Sequence, residues 1–594
     1  IYRLVGTVVG VVASIAIAGL LNETRDLFLF AVALWLALCV FAAGQLDGSR
    51  AYGAVLSGYT VAIVAVPNID SPQDTFASGI DRGAAIVIGI AAIAVVNDVF
   101  AAPNILPNVL KKVEDAHRKV RAYAREALRR GGAEPDQAGA LLREVTALHP
   151  EVTTLAGESI SGSIRAAGAG RALAAMVREV SAARAVSAAL VGLGQHGAEA
   201  RHDLEAALSG ECHGAPPPLE AGPDAPTLSD VPGRRRLVAA CAGFVLRNQD
   251  HDAAAGIAAL RSGRGPGRGP RLPLYKSRRS AVRDGSRVFV AVVLSSALFI
   301  LSGWPQTSTA LLQLCALAGI SATNPNPRAF SIGAVVAMPL ATAVAGVTEF
   351  LVLDGVDAFP LLAIAMALPV FAACLLMTAG RPLLYGIGFL LLVYFPVLLS
   401  PANPQSYNPQ AFLYSGLLSI VSVIVLFVCL STLFPTDDKR RRAWILRSSR
   451  EDLRDALSDR GQWYAPPAAA YRDADRIGQL HGLTDGDAET RAADLRTVIG
   501  YADLAAAARR FHAEGRDRGL RRVAKAAFDD GREALEGLHP AGLRRAASLL
   551  LGAVADRSTV LRTAGRRGAA DLVWAAALIE RNPQDLDPRE LGRR

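Results

Sequence analysis

The chain has 594 residues, 51% of them apolar, with 63 Lys and Arg against 54 Asp and Glu and a mean hydropathy of +0.29. It is too long for one core and too apolar for an ordinary soluble enzyme, which leaves the class of helical membrane proteins. The cations are confined: 26 of the 63 fall in residues 102–286 and 30 in residues 435–594, leaving seven (Arg3, Arg25, Arg50, Arg82, Arg287, Arg328 and Arg381) for everything else.

In chain order, residues 4–22, 27–46 and 51–69 contain no Asp, Glu, Lys or Arg, and each is close to the roughly 20 residues that a spanning helix needs. Residues 83–97 are uncharged but short, and span only if Arg82 and Asp98 sit at the two interfaces. With that segment counted, residues 1–101 form a transmembrane region of four spans. Residues 102–286 read as a polar helical domain, opening on LPNVLKKVEDAHRKVRAYAREAL with apolar residues at helical spacing. Six spans follow in residues 287–434. Two lie in 288–327, split by GWP at 303–305; one each in 329–348 and 358–380; and two in 382–436, split by SPANPQSYNPQ at 400–410. A second basic helical domain fills residues 435–594. The expected fold is all-α, polytopic, with ten visible spans.

Six spans, an even number, separate the two basic domains and put both on one face. Their Lys and Arg, including KSRR at 276–279 and KRRR at 439–442, make that face cytoplasmic. Threading then places Arg3, Arg50, Arg328 and Arg381 at cytoplasmic span ends, whereas the outer loops hold Arg25 and Arg82 among acids such as Glu23, Asp70, Asp81 and Glu349.

The two transmembrane regions echo each other. Gly6 and Gly10 match Gly333 and Ala337, Asp26 and Phe28 match Asp357 and Phe359, Pro67 matches Pro396, and Phe76 matches Tyr407, all at nearly one lag. The first two spans of the second region have no counterpart, so two spans are expected to precede Ile1. That makes two parallel repeats of six, related by an axis along the membrane normal.

Within the echo, GYTVAIVAVP (58–67) and GIGFLLLVYFP (386–396) each run from a glycine to a proline. Such a pair marks either helices broken in the membrane along a transport path or helices that a proline ends at the outer surface. Tyr59 and Pro67, with Tyr394, Phe395 and Pro396, would then line the path and stack on an aromatic ligand, or join the interface belts. Arg3 in IYRLVG and Asn324, Asn326 and Arg328 in TNPNPRAF share one repeat position, where paired arginines and a proline kink would receive an organic anion. The positive-inside rule alone also accounts for them. Asp98 is the candidate for proton coupling, with Arg82 and Glu349 as the other ionisable groups near spans; each also fits an interfacial anchor.

No Gly-Lys pair exists for a phosphate-cradling GxxxxGK[ST] loop, so ATP hydrolysis is not expected, nor is an enzyme or a cofactor. The six cysteines have no paired spacing, which gives no disulfide and no metal site. GRGPGRGPR at 263–271 lacks interleaved aromatics and reads as a linker, not a nucleic-acid contact.

A span opening YRLVGTVVG, a later GYTVAIVAVP with an acidic, proline-containing loop, a large helical block, and then the whole plan again resemble the fusaric acid resistance family. These are aromatic carboxylic acid exporters of Gram-negative bacteria. The resemblance implies an inner-membrane efflux transporter for hydroxybenzoate-type or fusaric acid-type carboxylates, driven by protons. It also implies a periplasmic membrane-fusion adaptor as partner and a homo-oligomer in the lipid. Two alternatives stay open: a passive organic-anion channel, like the distantly similar plant malate channels, and a membrane scaffold whose cytoplasmic domains bind a partner.

Overall fold

The computed structural model describes residues 2–583 and 586, except 22, 101–104, 133, 158–160, 192, 209–227, 229, 305–306, 325–326, 355–358, 402–406, 435–437 and 460–463; it also leaves aside the side chains of residues 97, 98, 100, 196, 327, 328 and 382. The described residues are helical, with no strand among them. They divide into two compact units: a membrane unit (Ile1–Ala102 with Lys276–Thr436) and a charged unit (Pro103–Tyr275 with Asp437–Arg594).

The chain opens with α1 (Tyr2–Leu21), α2 (Arg25–Gln45), α3 (Gly48–Ala65) and α4 (Thr75–Phe100). It enters the charged unit through α5 (Leu106–Arg130), α6 (Pro135–Ala147), α7 (His149–Leu155), α8 (Gly162–Leu190), α9 (Gly194–Leu208) and α10 (Val231–Ser262). The membrane unit resumes with α11 (Arg278–Ser302), α12 (Thr307–Ala322), α13 (Pro327–Val347), α14 (Phe359–Thr378), α15 (Pro382–Leu399) and α16 (Pro409–Thr432). The remainder is α17 (Asp438–Leu457), α18 (Pro466–His481), α19 (Ala488–Glu514), α20 (Arg518–Glu536), α21 (Pro540–Val554) and α22 (Thr559–Arg581).

Ten helices thus occupy the ten uncharged stretches. Seven are long and apolar enough to cross a membrane, and α12 and α15 are shorter apolar helices; α3, interrupted by Arg50, is the tenth. The echo in sequence has a counterpart in packing. Helix α1 packs on α3 and α4, and α2 on α3; likewise α13 packs on α15 and α16, and α14 on α15. Helix α11 lies along α2, and α12 touches α2, α3 and α16.

Membrane helices gain little from apolar burial against one another, so close backbone approach matters more. The α1–α3 seam is built that way: a Cβ on Gly6 would stand 2.3 Å from the Gly53 carbonyl oxygen, and one on Gly10 would stand 2.8 Å from that of Ser57. Both proline-ended helices are continuous. Helix α3 stops at Ala65, before Pro67, and α15 carries Pro396 in its last turn and ends at Leu399. Pro67 therefore lies beyond its helix, whereas Pro396 lies inside the last turn of α15 and leaves the Leu392 carbonyl without its helical N–H partner.

In the charged unit, buried residues of both basic blocks join in one apolar core. Helix α5 shows why: Val109, Val113, Ala116, Val120 and Ala124 repeat at three to four residues and are all fully buried, while Lys111, Lys112, Arg118, Lys119, Arg129 and Arg130 are exposed. Helices α8 and α10 pack side by side through Gly168 and Gly256, α6 meets α18, and α10 meets α22.

Candidate functional site

At the N-terminal ends of α1 and α3, side by side because of the glycine seam, two arginines are tied to tyrosines. Arg3 Nη2 donates to Tyr52 Oη at 3.2 Å and its guanidinium lies 5.1 Å from the Tyr52 ring centre. Tyr52 Oη is in turn 3.2 Å from Tyr59 Oη. Arg50 Nε donates to Tyr2 Oη at 3.1 Å and its guanidinium lies 5.5 Å from that ring. Arg3 and Tyr59, read separately from sequence, are thus linked through Tyr52. A cation stacked on an aromatic face keeps its charge available to an anion while holding one geometry. Ser57 and Thr60, on either side of Tyr59, are buried, and their hydroxyl oxygens have no hydrogen-bond partner among the described residues.

The opposite end of the same helices holds a cavity of about 240 Å³. Its wall includes Arg25 and Leu29 at the start of α2, Pro67 and Asp70 after α3, Phe299 of α11, and Trp304, Thr307 and Ser308 at the start of α12. Arg25, Trp304, Phe299, Thr307 and Ser308 thus border one space. A concave site with apolar rings and a few convergent polar groups suits a small amphiphilic ligand.

The other residues singled out from sequence fall elsewhere. Tyr394 and Phe395 are buried in the membrane core, 3% and 2% exposed, on α15 with Pro396, and none of the three lines the cavity. The Tyr394 hydroxyl has no hydrogen-bond partner among the described residues. Asn324 is exposed, just past α12. Asn326 and the side chains of Arg328 and Asp98 lie outside the described residues. Glu349, in contrast, is 5% exposed and sits in a π-helical turn (Thr348–Val352) at the end of α13. π-turns inside helices recur at functional positions because they re-aim a side chain. Sequence reasoning passed over Gln313, midway along α12, because it carries no charge. It is 3% exposed, and both ends of its amide lack a partner among the described residues. A lone glutamine in the apolar run LLQLCALAG was the available signal.

The charged unit buries ionisable groups as well. His117 Nε2 is 2.9 Å from Asp250 Oδ1, and Arg121 donates to both oxygens of Asp250 at 2.5 and 2.8 Å. Burial opposes ionisation of Asp250, but those hydrogen bonds outweigh it and hold the carboxyl below its usual range. Glu179, fully buried on α8, is pushed well above the usual carboxyl range, chiefly by burial and then by the charge of Asp250.

Residues 1–582 match the sequence profile of the fusaric acid resistance protein family. The chain is 24% identical over 365 residues to the p-hydroxybenzoic acid efflux pump subunit AaeB of Edwardsiella tarda, an alignment covering 57% of this chain and 54% of that one. It is 37% identical over 73 residues to the uncharacterized transporter YdhK of Salmonella typhimurium, covering 12% and 11%, and 30% identical over 90 residues to YdhK of Escherichia coli K12, covering 15% and 13%. The chain thus spans about half the length, or less, of these relatives. No solved structure matches significantly.

Proposed function

We propose, for a chain that belongs to the fusaric acid resistance protein family, an efflux transporter that exports aromatic carboxylic acids across the bacterial inner membrane. The observation that carries this function is the cavity beside Pro67, where Arg25 stands with Phe299 and Trp304. A benzoate-like acid has a weakly hydrated ring and one charge: the rings suit the first and the guanidinium the second. The likeness to a p-hydroxybenzoic acid efflux subunit supports the same substrate class. With the charged unit cytoplasmic, the acid would meet Arg3 and Arg328 on entry, pass Tyr59, and leave by the cavity. Asp98 and Glu349 are the candidate proton carriers, Glu349 gaining support from its burial in the π-turn. A periplasmic adaptor would carry the acid onward, and the transporter would work as a homo-oligomer.

The experiment is uptake of labelled p-hydroxybenzoate into inside-out vesicles under an imposed pH gradient. The expected result is accumulation above the outside concentration, abolished by a protonophore, with Arg25→Ala and Trp304→Ala raising the half-saturating concentration more for acids than for their neutral amides. Equilibration without accumulation, accompanied by single-channel currents, would establish the passive anion channel instead.

A further inference from the structure

We propose that His117, Glu179 and Asp250 form a binding site for one divalent transition-metal ion of zinc's class in the charged unit, independent of the transport path. Each residue comes from a different helix, α5, α8 and α10, and each offers one ligand atom within 4.8 Å of the other two. His117 Nε2 lies 2.9 Å from Asp250 Oδ1 and 4.0 Å from Glu179 Oε2. Ligands about 2.0–2.2 Å from a shared zinc stand roughly 3–4 Å apart, so small side-chain adjustments bring the three onto one centre.

The independent observation is Glu179. It is 0% exposed, neither carboxylate oxygen has a hydrogen-bond partner among the described residues, and Oε2 points toward the imidazole. Arg121, the nearby cation, directs Nε and Nη2 to the two oxygens of Asp250 and makes no hydrogen bond to Glu179. A buried carboxylate in that position either keeps its proton or meets a cation from outside. A site of one imidazole and two carboxylates suits zinc better than calcium or magnesium, which favour all-oxygen shells. Binding would displace the Glu179 proton and any proton on Nε2 and tie together three helices distant in sequence. Residues 117, 179 and 250 fall in no ligand-spacing motif, so the proposal departs from the sequence expectation of no metal site.

The test strips the purified full-length chain with a chelator and titrates it with zinc alone, reading bound metal and thermal unfolding. The expected result is one zinc per chain with a raised unfolding temperature. Glu179→Gln and His117→Ala should each weaken binding by at least about 10-fold, and Arg121→Gln, which frees Asp250, should tighten it. Cobalt in place of zinc should give visible absorption bands that Glu179→Gln removes. If the wild-type chain binds no zinc, or binds it as tightly as Glu179→Gln does, the site is refuted and Glu179 is simply a buried neutral acid.

Discussion

On α5, α8 and α10, two carboxylates share one guanidinium and one imidazole; on α17, α18 and α19, two carboxylates face three guanidinium groups. In the second cluster Arg509 donates to Asp473 at 2.8 Å and also to Asp452, while Arg472 donates to Asp452. Arg476 lies 3.3 Å from Asp473 and 3.6 Å from Asp452. Each cluster has one charge too many, and the surplus is handled differently. The surplus cation, Arg476, lies 4.8 Å from the centre of the Tyr275 ring, and an aromatic face stabilises a desolvated cation. Glu179 has no hydrogen-bond partner among the described residues, and burial holds it above the usual carboxyl range. Burial also opposes ionisation of Asp452, yet Arg509, Arg476 and Arg472 outweigh it and hold that carboxyl below its usual range.

The largest effect should come from breaking the better-paired cluster. Arg509→Met leaves Asp473 and Asp452 in place without the arginine that hydrogen-bonds both and should cost about 3–5 kcal/mol, read as a shift in denaturant midpoint of the full chain. A loss under 1 kcal/mol would mean that the cluster is looser than the contrast requires.

Next comes the pH dependence of the acid-surplus cluster. The folded chain keeps a proton on Glu179 that the unfolded chain releases near the ordinary glutamate value. Stability is therefore fully present below that value and declines by up to about 1.4 kcal/mol per pH unit as pH rises toward the folded value. In chelator, Glu179→Gln should remove this decline and leave the chain equal to or more stable than wild type above pH 6. An unchanged slope would show that Glu179 titrates normally.

A smaller effect isolates the aromatic face. A double-mutant cycle on Arg476→Met and Tyr275→Leu should return a coupling of about 1 kcal/mol, and a value near zero would remove the ring from the account. The smallest lies outside both clusters: Lys112 and Glu151 pair at 2.7 Å but are 43% and 36% exposed, so Lys112→Ala should change stability by less than about 1 kcal/mol.

These clusters also mark where the sequence became illegible. Absence of charge located ten helices, seven of them long and apolar enough to cross a membrane, because in lipid a single Arg or Asp is expensive enough to be read off a string. In the charged blocks the same residues are common, and most are solvated, so nothing in the string distinguishes Glu179 from its exposed neighbours. Only its place on α8, with Met176 three residues before and Ala183 four after, both fully buried, puts it on an inward face. At the start of α1 and α3, Arg3 stood out as an arginine at a span end and Tyr59 as an aromatic in a Gly-to-Pro run, but nothing in the sequence marked Tyr52, which connects them. Trp304 reads from sequence only as part of the GWP break between two spans, and Arg25 as an outer-loop residue. That they share a cavity depends on α2 and α12 meeting, which no local pattern encodes.

The shared core of the charged unit sets an order on synthesis. Arg184 on α8 finds its carboxylate, Asp503 on α19, 319 residues later in the chain. Ser181, one turn earlier, donates to the same group at 3.1 Å. When the ribosome has finished α10, the inward faces of α5, α6 and α8 exist, but much of what covers them does not, and six more apolar helices must be made first. The first block must wait half-covered until the last quarter of the chain emerges. Chaperone demand should peak in that interval, and truncations ending between α16 and α19 should be degraded faster than either shorter or full-length chains.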